Sequence, residues 1–134
     1  MRKTSLIILS FTLFFGVSNV FSQTTSAVSD ATINALNCGN AAALSLLFNN
    51  SVELVIENRN DIFSQQQASG IIADFFRRNS VTDFTVLHRG AKEASSFVIG
   101  TLRTSNGAFR VYVLIRQNEN VNAIQQLRIE SSNE

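Results

Sequence analysis

The chain has 134 residues, room for one domain and little more. Eleven basic residues stand against ten acidic ones, and a near-neutral chain lacks the basic footprint of a nucleic-acid binder. One cysteine excludes an intrachain disulfide, and one histidine among scattered carboxylates gives no zinc or calcium ligand spacing.

Arg2 and Lys3 form a basic start, residues 6–20 are mostly apolar, and Val20-Phe21-Ser22 follows with small or modest side chains. That order predicts a secretory signal peptide over residues 1–22, cut after Ser22. The apolar run is shorter than the roughly 20 residues that span a bilayer; an uncleaved anchor is the alternative. The predicted mature domain, residues 23–134, is then periplasmic or extracellular, with no membrane anchor after cleavage. It keeps nine basic residues, eight of them arginines spread along the chain, against ten acidic ones. A domain of this size buries roughly 60–70% of its unfolded surface, enough for a core without staples.

After a polar lead-in at residues 23–26, apolar spacings of three and four predict a helix over 26–37, stopped by Gly39. Cys38 reads as a small buried apolar residue at that helix end; an intermolecular disulfide or reactive thiol there requires exposure. Asn40 caps a second helix over 41–48. Residues 52–56 form a strand, 57–60 a turn and 61–63 a brief return strand. Ser64 and Gln67 make a capping box for a third helix, which presents Ala68, Ile71, Ile72, Phe75 and Phe76 on one face and closes at Arg77, Arg78 and Asn79. Four strands follow, over 83–89, 96–104, 108–116 and 121–130, linked at Gly90, Asn106-Gly107 and residues 118–120. The order is α-α-β-(β)-α-β-β-β-β, an α+β domain with helices packed on a curved antiparallel sheet.

The link between the second and third of these strands sets which face each side chain takes. A two-residue Asn106-Gly107 turn pairs Ser105 with Ala108. A three-residue loop pairs Thr104 with Ala108 and is preferred, because it gathers Phe97, Ile99, Phe109, Val111, Val113 and Ile115 on one side and lets Tyr112 cover Gly100. The other face then carries Val98, Leu102, Tyr112 and Leu114, edged by Arg110 and Arg116, and is apolar enough to be a partner surface.

Several stretches resemble a bacterial exported domain family known only as a domain of unknown function. They are Gly39-Asn40-Ala41-Ala42-Ala43-Leu44, Phe75-Phe76 with Asn79, Phe84 with Leu87-His88-Arg89-Gly90, Ile99-Gly100-Thr101-Leu102, Thr104-Ser105-Asn106-Gly107, Arg110-Val111-Tyr112 and Gln125-Gln126-Leu127-Arg128-Ile129. The resemblance covers most of residues 32–130. It implies the nuclear-transport-factor-2-like (cystatin-like) cone and a homodimer formed through the sheet; it implies no activity.

His88 is the one candidate for catalysis, as a general base if its strand face lines the cone, with Thr101, Arg103 and Gln125 as further pocket candidates and Asp61 as another possible partner. A rim or core histidine is the bland alternative. Enzymes of this fold pair a carboxylate with a tyrosine or a protonated acid, and this chain offers no such pair. No Gly-x-Ser-x-Gly elbow is present. The sequence therefore favours a non-catalytic binding or interaction module that takes a small ligand or a protein partner, without a cofactor or metal. A small isomerase- or dehydratase-like enzyme using His88 is the alternative.

Overall fold

A computed structural model describes residues 25–132; the predicted signal peptide lies outside the described residues. The elements are α1 (Thr25–Cys38), α2 (Ala41–Ser45), β1 (Phe48–Ile56), β2 (Arg59–Ser64), α3 (Gln65–Arg78), β3 (Val81–Lys92), β4 (Ser95–Thr104), β5 (Gly107–Asn118) and β6 (Val121–Ser131). The strands form one sheet in the order β2-β1-β6-β5-β4-β3. Every neighbouring pair is antiparallel except β1 and β6, which run parallel and join the β1–β2 hairpin to the β3–β6 meander.

Helical spacing decides what α1 buries: Val28, Thr32, Ala35 and Leu36 face the sheet. Gly39 ends the helix with φ +61°, a left-handed conformation that costs a side chain but not glycine. Asn40 then accepts a bond from the Ala43 amide at 3.0 Å and starts α2. That helix is shorter than its apolar pattern implies. It ends at Ser45, because Phe48 pairs with Ile124 and the Leu47 carbonyl accepts from the Ile124 amide at 2.8 Å. Sheet pairing takes the apolar residues that periodicity assigns to a helix.

The capping box at α3 is present. Ser64 Oγ accepts from the Gln67 amide and Gln67 Oε1 accepts from the Ser64 amide, each at 3.2 Å. Ala68, Ile72, Phe75 and Phe76 are buried against the sheet. Phe75 makes an edge-on contact with Phe109 of β5, ring centroids 5.1 Å apart. With Phe84, Leu102, Val111, Leu127 and Ile129, these side chains fill the space between helices and sheet.

Three expectations are corrected. The β4–β5 loop is neither of those weighed. Thr104 pairs with Gly107 and Arg103 with Ala108, so the loop is Ser105-Asn106. Thr104 Oγ1 accepts from the Asn106 amide at 3.1 Å and donates to the Gly107 carbonyl at 2.9 Å, which closes the turn one residue earlier. Val98 and Leu102 therefore join the core beside Val113 and Phe109, while Phe97 and Ile99 turn outward beside Leu114 and Tyr112. Gly100 faces Val111, not Tyr112.

Gly90 is not a link but lies inside β3, opposite Phe97. A Cβ there would come 2.7 Å from Phe97 Cε1, so the ring covers bare backbone and the turn falls later, at Glu93 with φ +54°. Cys38 is exposed. Its helix spends its buried stripe on Ala35 and Leu36, which leaves position 38 facing solvent.

Candidate binding surfaces

Alternation along the corrected strands builds the outer face of the sheet, the side away from the helices. Its centre is Phe97 and Leu114 in one row, with Ile99 and Tyr112 in the next. Phe97 is 36% exposed and the other three are half-buried. His88 extends the second row on β3, and Leu87, 44% exposed, marks a bulge beside it. On β6 and β1 the rows continue through Gln126 and Arg128 to Glu53 and Val55. Arg110 and Arg116 border the apolar centre and have no ion pair among the described residues, whereas Arg128 meets Glu130 at 3.5 Å.

The four pocket candidates do not meet in a cavity. His88 is exposed on this outer face, opposite Ile99. Thr101 shares the face between Thr85 and Arg110 and is buried. Arg103 reaches Asp83 and Thr85, each at 3.4 Å. Gln125 occupies a β6 bulge with β5 between it and the others. Behind them the rings of Phe75, Phe84 and Phe109 pack in the space between helices and sheet. Asp61 lies on edge strand β2 and accepts from the Ile62 amide. Among the described residues no cluster of His, Cys, Asp or Glu fits a metal ion, and no helix is long and apolar enough to cross a membrane.

A hollow of about 450 Å³ lies instead on the helix side, between the β1–β2 hairpin and α3. Strand alternation puts Arg59 and Phe63 of β2 on the side that faces α3. From α3, Gln67, Gly70, Ile71, Asp74 and Arg78 come at spacings of three and four, a single helical stripe. Ile56 lies at the bottom.

One end of the recess is charged and tied. Arg78 donates to both Glu57 oxygens, at 2.7 and 3.1 Å, and through Nε to Asp74 at 2.9 Å. Arg77 bonds the other Asp74 oxygen. The Arg78 hydrogen bond holds the Asp74 carboxyl below the usual carboxylate range, and the two carboxylates push the Arg78 guanidinium up. Glu57 has φ +53°, uncommon for a residue with a side chain. Gly70 is the other oddity. Inside a helix, glycine costs about 1 kcal/mol relative to alanine, and a Cβ here would touch nothing within 4 Å. No packing contact explains it.

Residues 29–130 match the family model described as Domain of unknown function (DUF4783). The chain belongs to the DUF4783 family. It is 38% identical to a DUF4783 protein of Bacteroides ovatus, with a TM-score of 0.74 over 78% of this chain and 94% of that one. A Bacteroides fragilis member is 40% identical, with a TM-score of 0.71 over 76% and 96%. More distant structures show the fold alone, the nuclear-transport-factor-2-like one. A designed protein of that class is 15% identical, with a TM-score of 0.62 over 79% and 99%. A putative calcium/calmodulin-dependent protein kinase II association domain of Xanthomonas campestris is 17% identical, with 0.57 over 81% and 86%. No curated protein matches the chain.

The recess was invisible to sequence reasoning, which takes β2 and α3 as separate amphipathic elements. Its one sequence signal is Gly70, a glycine inside an otherwise regular helical pattern.

Proposed function

We propose that this DUF4783 domain is an exported, non-catalytic interaction module that docks through the outer face of its sheet onto a second copy of itself. The observation that carries this reading is the contiguous group Phe97, Ile99, Tyr112 and Leu114, apolar and unroofed on the face opposite the helices. Apolar clusters rimmed by charge are the usual anatomy of a protein interface. The rim carries both signs, Arg110, Arg116 and Arg128 with Glu53 and Glu130, so a second copy meets no uniform like-charge repulsion. The kinship of fold with a protein described as an association domain supports the same reading by analogy only.

The acid–base alternative has no observation in its favour. It needs an open cavity at His88, and aromatic rings occupy the cone while His88 lies on the other side of the sheet.

Sedimentation of residues 23–134, which contain every described element, tests the docking. The expected result is a dimer at micromolar concentration that Leu114→Glu converts to a monomer with an unchanged circular-dichroism spectrum. A monomer at all concentrations overturns it. For export, mass spectrometry of the chain recovered outside the cytoplasm is expected to show Gln23 as the first residue.

A further inference from the structure

We propose that the recess between β2 and α3 binds a small amphipathic anion, with an apolar body on Ile56, Phe63 and Ile71 and a single carboxylate at Arg59. This inference is independent of the docking face, since the recess opens on the helix side of the sheet.

Three observations converge on it. The first is electrostatic. Glu57 and Asp74 are satisfied by Arg78 and Arg77, so that network sums to no net charge. Arg59 lines the same hollow with no ion pair among the described residues, so of the lining's two guanidiniums it is the one not tied to a carboxylate; Asp61, on the same strand face, is outside the lining. A planar fork of donors suits a carboxylate.

The second is shape. Gly70 leaves open the place that any other helical residue would cover. The volume, about 450 Å³, lies within the range of small-molecule pockets. The third is order. Glu57 sits in the two-residue β1–β2 turn with both its oxygens held by Arg78, so that end of the recess is fixed before any ligand arrives. The lining is mixed, with Ile56, Phe63 and Ile71 apolar and Arg59 and Gln67 polar, which favours a ligand with one greasy and one charged end.

Octanoate is a suitable probe, titrated into ¹⁵N-labelled protein and followed by amide chemical shifts. Saturable shifts are expected at Phe63, Gly70 and Ile71, with a dissociation constant on the order of 1 mM for so small a ligand. Arg59→Gln is expected to weaken binding about fivefold or more, and octan-1-ol, with the same body and no charge, to bind correspondingly less well. Gly70→Leu is expected to abolish saturation while the protein melts no lower than wild type, because the substitution removes a helix-weakening glycine into open space. Shifts that never saturate, that centre on Phe97 and Tyr112, or that survive both substitutions overturn the proposal.

Discussion

Gly100 lies beneath the ring of Phe84, its neighbour but one across the β3–β4 pair. A Cβ added at Gly100 would fall within 2.6 Å of Phe84 Cε2 and 2.5 Å of the Thr85 carbonyl oxygen. The ring can swing, but the carbonyl belongs to the sheet. Gly100→Ala is therefore expected to destabilise the domain by about 1–3 kcal/mol, the usual cost of forcing atoms into a packed site. Urea denaturation measures it, and Phe84→Leu in the same background is expected to restore only part of the loss.

Asn106 ties the β4–β5 turn to the end of α3. Its amide nitrogen donates to the Arg78 carbonyl at 2.7 Å and to Asn79 Oδ1 at 3.0 Å. Asn79 is 5% exposed, so losing its partner leaves a buried acceptor short of a bond. Asn106→Ala is expected to cost about 1–3 kcal/mol. Thermal melting checks this, and Asn106→Asp, which keeps the shape but not the donors, is expected to behave like the alanine variant.

Asp74 makes stability depend on acid. Its folded-state pKa is depressed, first by the Arg78 hydrogen bond. A depressed carboxylate contributes stability that is present above the unfolded pKa, about 4, and is lost as the pH falls through the lower folded value. The group is exposed, so the effect is small and screened by salt. Denaturation midpoints measured from pH 6 down to pH 2 are expected to fall less steeply for Asp74→Asn than for wild type, and the gap to narrow in high salt.

Cys38 faces solvent at the end of α1. It is expected to react with an aromatic disulfide reagent in the native protein as fast as in urea. A reaction that waits for denaturant would contradict this placement.

Much of the fold can be read from the residues themselves. The capping box at Ser64, the stripe of α3 and the glycine stop after α1 are local chemistry, and local chemistry is written in neighbouring positions. Register is different. Phe97, Val98 and Ile99 are three apolar residues in a row, as are Tyr112, Val113 and Leu114, so alternation names no inner face on β4. The turn that decides it is held by Thr104 locally and by Asn106 reaching α3 across the chain. The parallel pairing of β1 with β6 is equally silent, because nothing near residue 54 announces a partner near residue 127. His88 illustrates the cost for the site: one strand face of doubt separates a pocket residue from one on the outer wall.

The β1–β6 pairing also fixes an order of events. The hairpin and the meander can each form early from near neighbours, but they become one sheet only when the last strand is available to bridge them. Such a distant closure is slow compared with turn formation. A chain whose last strand is held back thus keeps two unzipped sheet halves, each with a bare edge where the other belongs.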